Sequence, residues 1–188
     1  MKHITFLVAV MIAGSGMAGS GIAAQSGEDA WAMVYETLSH PRCANCHVAD
    51  GTPMWTGPEY TLPGRHGMYV GGDPDSQMGA PGQMCDTCHG PANAPVRRGP
   101  PGADFWALAP AELAWFGKSS AEVCGQLRDP ARNGGRKIAD VAARVGDDGL
   151  ISWGWAPGAG REPAPNSVAA LAEALRAWDA AGTPCPTQ

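Results

Sequence analysis

Two segments of the chain, Cys43-Ala44-Asn45-Cys46-His47 and Cys85-Asp86-Thr87-Cys88-His89, repeat one five-residue pattern, and the rest of the fold has to accommodate what that pattern does. Two thiols three residues apart lie on one side of a helical turn, spaced to form thioethers with the two vinyl groups of a porphyrin. The histidine that follows then meets the iron. The pattern predicts two covalently attached haem c groups, held by Cys43, Cys46, Cys85 and Cys88, with His47 and His89 as proximal iron ligands. The competing use of the same thiols is structural: Cys43, Cys46, Cys85 and Cys88 as a tetrahedral zinc site. That reading requires a histidine to follow each cysteine pair by accident.

The surroundings of the motifs differ sharply. From Asp50 to Gly102 the chain is punctuated by glycine and proline, among them Gly51, Pro53, Gly57, Pro58, Pro63 and Gly64, so long regular elements are not expected there. Such a composition alone reads as disorder. Two large apolar discs bonded to the chain change that expectation, because irregular loops wrapped around them bury surface their own side chains do not supply.

Residues 1–24 have the pattern of a secretory signal peptide: Lys2 is basic, Ile4 to Ile12 is apolar, and Gly21-Ile22-Ala23-Ala24 offers small residues for cleavage. The apolar run is too short to span a bilayer, and nothing after Gln25 resembles a membrane segment. A periplasmic protein is expected, in a compartment where disulfides persist. The full chain carries 13 basic and 18 acidic residues, a net charge of −5, and loss of Lys2 with the leader makes the remainder −6. There is no basic tract for nucleic acid. An acidic surface suits a partner with a basic docking patch.

Helical periodicity is clear outside the loop region. Glu28 to Ser39 places Trp31, Val34, Tyr35 and Leu38 on one face. Pro110 to Phe116 reads as a short helix, and Ser119-Ser120-Ala121-Glu122 as a capping box that opens a helix ended by Asp129-Pro130. Lys137 to Val145 and Ser167 to Ala180 each carry an apolar stripe. Strand signals are nearly absent. The expected organisation is a leader (1–24), a di-haem-binding region (25–103) and a helical C-terminal region (104–188) packed on it.

With four cysteines assigned, Cys124 and Cys185 remain, and an even remainder in an exported chain suggests a disulfide. It would close a loop of about 60 residues, worth roughly 3–4 kcal/mol in the chain-entropy model. Beyond the leader there are four histidines, His40, His47, His66 and His89, and two haems offer four axial positions. His66 and His40 are therefore the expected distal ligands, His66 for the first iron and His40 for the second. Met68, Met78 and Met84, with Met54 in the same region, are the alternative thioether donors and would raise the reduction potential. The bland uses are a histidine bonding a helix end before Pro41 and methionine as core filler.

Seven tryptophans suit packing against porphyrin faces. Asn133-Gly134-Gly135-Arg136 reads as a tight turn, and Arg136 or Arg65 could pair with a haem carboxylate. Asp147-Asp148-Gly149 resembles a loop end rather than a calcium site.

Five segments, HPRCANCH (40–47), MCDTCH (84–89), FWALAPAELAWFGKS (105–119), VCGQLRDPARNGGR (123–136) and WGWAPGAGREPAPN (153–166), resemble a family of exported di-haem cytochromes. Its members often carry the label isoquinoline 1-oxidoreductase subunit. The similarity covers nearly the whole chain after the leader, and the C-terminal segments are its more specific part. The resemblance implies a mainly α, small di-haem cytochrome c with Gly/Pro-rich haem-wrapping loops and a helical C-terminal half. It also implies a redox donor such as a molybdenum hydroxylase or another periplasmic dehydrogenase. The hydroxylation itself is not implied, since the chain lacks the plant-type iron–sulfur spacing and is too small for a molybdopterin domain. An electron carrier that is not an enzyme is thus the leading expectation. A di-haem peroxidase is the enzyme alternative; it needs a displaceable iron ligand and a distal acid or base.

Overall fold

The computed structural model describes residues 26–68, 70–71, 78–80 and 83–187, with only the backbone at 78–80. The leader-like residues 1–24 and the Met78 side chain lie outside the described residues. Six α-helices and two short antiparallel hairpins are present among those described: α1 (Gly27–Ser39), α2 (Pro41–Ala44), α3 (Ser120–Arg128), α4 (Ile138–Asp147), α5 (Gly149–Trp153) and α6 (Val168–Ala180). Strand β1 (Met54–Trp55) pairs with β2 (Gly64–Arg65), and β3 (Met78–Ala80) with β4 (Gln83–Met84). The chain is helix-rich with little strand. Among the described residues no helix is long and apolar enough to cross a membrane.

The core forms where the apolar stripes meet. Helix α6 packs on both α1 and α4, burying Leu171, Leu175 and Trp178 against Trp31 and Val34 of α1 and Ile138, Ala142 and Val145 of α4. The rings of Trp31 and Trp178 are 4.7 Å apart, and their N–H groups stay paired: Trp31 Nε1 donates to Ser120 Oγ and Trp178 Nε1 to the Pro184 carbonyl, both at 2.8 Å. Buried indoles need such partners. Side-chain caps start the helices as composition suggests, with Ser26 on α1, Ser167 on α6, and the reciprocal Ser119 and Glu122 capping box on α3. Gly27 is needed where α1 begins, because a Cβ there would lie 2.6 Å from Ala181 Cβ and 2.7 Å from Pro184 Cγ.

Cys124, fully buried on α3, is bonded to Cys185 with Cα atoms 5.7 Å apart, so the tail after α6 is tied to α3. The core draws on both expected regions, since α1 belongs to the first and α3, α4 and α6 to the second.

Two local expectations are corrected. Pro110 to Phe116 does not form a continuous helix: a single 3-10 turn, Ala111–Leu113, gives way to extended backbone at Ala114. That extension frees the N–H groups of Trp115 and Phe116, which both donate to the His47 carbonyl, at 2.8 and 3.0 Å. Asp148 does not simply end a loop; its carboxylate accepts from the N–H groups of Leu150 and Ile151 and so starts α5. The Asn133 to Arg136 segment is the expected tight turn, with Gly134 and Gly135 both at φ 71°.

Candidate functional site

The two Cys-x-x-Cys-His segments sit on opposite kinds of scaffold. The first lies on α2 and the turn after it, which Pro41 starts at a position where its missing N–H costs nothing. Its middle residues Ala44 and Asn45 and its flanks Arg42 and Val48 are all buried. Cys43 and Cys46 are half-buried in surroundings apolar enough to push their thiols up to about 12 and about 11; the neighbouring Cys46 adds to the effect on Cys43. The second segment opens as a 3-10 turn, Cys85–Thr87, followed by loop, and Cys88 is exposed. Burial raises the Cys85 thiol as well.

Despite these scaffolds the two histidines are held in the same way. His47 Nδ1 lies 2.7 Å from the Leu113 carbonyl, and its ring stacks on Trp115 with centroids 3.3 Å apart and planes 5° apart. His89 Nδ1 lies 2.8 Å from the Pro101 carbonyl, and its ring stacks on Trp106 at 4.7 Å and 6°. A carbonyl oxygen only accepts, so each Nδ1 carries the proton and each Nε2 keeps a bare lone pair. Burial holds both imidazoles below the usual histidine range, His47 at about 4, and so favours the neutral, ligating form.

The remaining histidines divide. His66 Nδ1 also faces a carbonyl, that of Gly67 at 2.9 Å, leaving its Nε2 bare. Its ring lies 5.9 Å from that of His89, edge to face. Two imidazoles on one metal, each through a nitrogen about 2 Å from it, have ring centres roughly 6 Å apart. The structure thus brings His66 to His89 of the second motif, whereas the sequence reading set it opposite His47. His40 has the reverse arrangement: its Nδ1 accepts from the Arg42 N–H at 3.3 Å, capping α2, so its proton is on Nε2. It does not line the cavity between the motifs, and the structure does not bring it to His89 as expected.

That cavity, about 690 Å³, is bordered by Cys46, Cys85, Cys88, His66 and His89, with Trp55, Trp106 and Trp153 among its apolar walls. Its size falls among those of cofactor pockets. Met54, Met68 and Met84 also line it; Met68 is 79% exposed at φ 61° and Met84 is 44% exposed. Arg42, Arg98 and Arg161 are the cations in its wall. Arg42 pairs with Glu59, and Arg42 Nε and Glu59 Oε2 are both buried without a hydrogen-bond partner. Neither Arg65, which pairs with Asp50, nor Arg136, which bonds back to Asn133, lines the cavity. Sequence reading missed the three wall arginines because no local pattern marks them: they arrive from α2, from the loop after the second motif, and from the segment after α5.

The donor set, bare imidazole nitrogens, paired thiols and an apolar cavity with cationic edges, fits covalently bound haem. Among the described residues no three His, Cys, Asp or Glu side chains converge as a metal-binding group, so the four motif thiols are not gathered as a zinc site would gather them. Side-chain anchors hold the walls. Asn93 Oδ1 accepts from Trp153 Nε1 at 2.8 Å and from the Gly102 N–H at 3.2 Å, and its Nδ2 donates to the Ala156 carbonyl at 3.0 Å. Gly102 is obligatory here, since a Cβ would run into the carbonyl oxygens of Ala92 and Gly90. No family model, no curated protein and no solved structure matches the chain.

Proposed function

We propose that this chain is a periplasmic electron-transfer protein with two covalently bound c-type haems. One observation carries the reading: both motif histidines are fixed alike, Nδ1 on a backbone carbonyl and one face on a tryptophan. Such second contacts orient a ligating imidazole and raise its basicity. On attachment each thiol adds across a vinyl double bond, sulfur to one carbon and the thiol proton to the other. Bound haem supplies a one-electron iron couple.

The chain's own residues do the rest. Cys43 and Cys46 anchor the first haem and Cys85 and Cys88 the second, with His47 and His89 as proximal ligands. His66 would be the second ligand at the iron held by His89, and Met54, Met68 and Met84 are the thioethers available to the iron held by His47. Histidine on both sides gives a lower potential than histidine with methionine, so such ligand sets would give the two sites different potentials. Arg42, Arg98 and Arg161 pair with the haem carboxylates, and the tryptophans exclude water. The acidic net charge suits a basic redox partner, and the family resemblance makes a molybdenum hydroxylase or another periplasmic dehydrogenase the donor class. The Cys124–Cys185 bridge is in keeping with an oxidising compartment.

The test is stoichiometry. Protein matured in a host with haem-attachment machinery, denatured and treated with chelator, should retain two haems per chain by mass. A chain that carries no covalent haem and holds zinc instead would sink the reading.

A further inference from the structure

Hairpin β1–β2 carries His66, but it is anchored on the other motif. The Met54 N–H donates to the carbonyl of Asn45, in the first motif, at 2.8 Å. The Asn45 side chain, 8% exposed, accepts from Thr56 Oγ1 at 2.7 Å and donates through Nδ2 to the Thr56 carbonyl at 3.1 Å. From there the hairpin register pairs Met54 with Arg65, and the His66 N–H donates to the Pro53 carbonyl at 2.8 Å. Only these backbone links separate Asn45 from the ring that faces His89. The buried Arg42–Glu59 pair clips the same segment from the residue before Cys43.

We propose that Asn45, a variable position of the first haem motif, is a positioning residue for the distal ligand of the second haem. Three hydrogen bonds reach the hairpin from this one buried residue, and a strand pair only two residues long has little rigidity of its own. An asparagine with both side-chain groups paired is costly to bury unpaired, so the contact is held firmly. The hairpin therefore transmits the placement of the first motif to the second iron: the second site is complete only when the first has folded. This rests on the reading of His66 as that iron's ligand.

The experiment uses the matured holoprotein and reads spin state by absorption, magnetic circular dichroism and paramagnetic resonance. Asn45→Ala should keep two covalent haems, yet turn a large fraction of one of them high-spin, and added imidazole should return it to low-spin. Thr56→Val, outside the motif and nearly isosteric, should do the same to a smaller fraction, whereas Thr56→Ser should leave the spectrum as in the parent. His66→Ala sets the full-scale response, one haem of two. If His66→Ala changes neither haem, the ligand assignment itself is wrong. If His66→Ala converts one haem but Asn45→Ala and Thr56→Val leave both low-spin, the assignment stands and the positioning role of Asn45 is overturned. Should Asn45→Ala fail to mature, the Thr56 pair decides alone.

Discussion

The first Cys-x-x-Cys-His motif is built into the helical core and the second is laid across loops, although five residues of identical pattern specify both. His47 is gripped by the 113–116 segment on three sides: Nδ1 on the Leu113 carbonyl, its own carbonyl taking two N–H groups, and its face on Trp115. That segment is in turn fixed by α3, whose fully buried Gln126 donates to the Ala114 carbonyl at 2.9 Å. His89 has the same first contacts, but its supports are the loop residues Pro101 and Trp106, steadied by Asn93 and Arg161. The lesson is that one local pattern can sit on two different scaffolds, and that the packing around it determines how firmly each histidine is held.

Four measurements sharpen or break this contrast. Trp115→Ala, in the buried site, should cost about 3–5 kcal/mol, against about 2 for the half-buried Trp106. At roughly 2–4 °C per kcal/mol the two melting temperatures separate clearly; equal losses would mean that the scaffolds are equivalent. Cys185→Ser should cost roughly 3–4 kcal/mol through the unfolded chain and leave the second haem's spectrum as it was. A spectral change at the second haem would show that the tail supports both sites. Asn93→Ala removes three hydrogen bonds near the second motif and should cost about 1–3 kcal/mol, with the first haem's potential unmoved. Alkylation of haem-free protein at neutral pH, followed by peptide mapping, should modify the exposed Cys88 at least about tenfold faster than Cys43, whose thiol burial holds near 12. Comparable rates would place the first motif in open loop before maturation.

Much of the helical core was legible because its signals are local. The stripe Trp31, Val34, Leu38 and the capping box at Ser119 and Glu122 each involve residues within about two turns. The remaining cysteine pair also followed from counting. The cavity region was not legible in the same way, since two-residue strands leave no periodicity and Met54 meets Arg65 only through a loop. Matching four histidines to four positions assigned His40 as a ligand, whereas its place before a first-turn proline is a helix-cap position, a signal that was present and outweighed by the count. That His66 comes to face His89 depends on contacts across the fold that spacing does not encode.

The bridge between Cys124 and Cys185 also bears on how six sulfurs share one chain. Six thiols can be joined in fifteen ways, and four in three. Helix α3 and the tail after α6 meet at the shared core and bring one pair together across 61 residues of sequence. Once that pair is oxidised, the thiols left over are the four of the two motifs, which on the proposed reading would have to stay reduced to add to vinyl groups. If the motif thiols take haem, the packing that brings Cys124 to Cys185 would also separate sulfur destined for a crosslink from sulfur reserved for the cofactor.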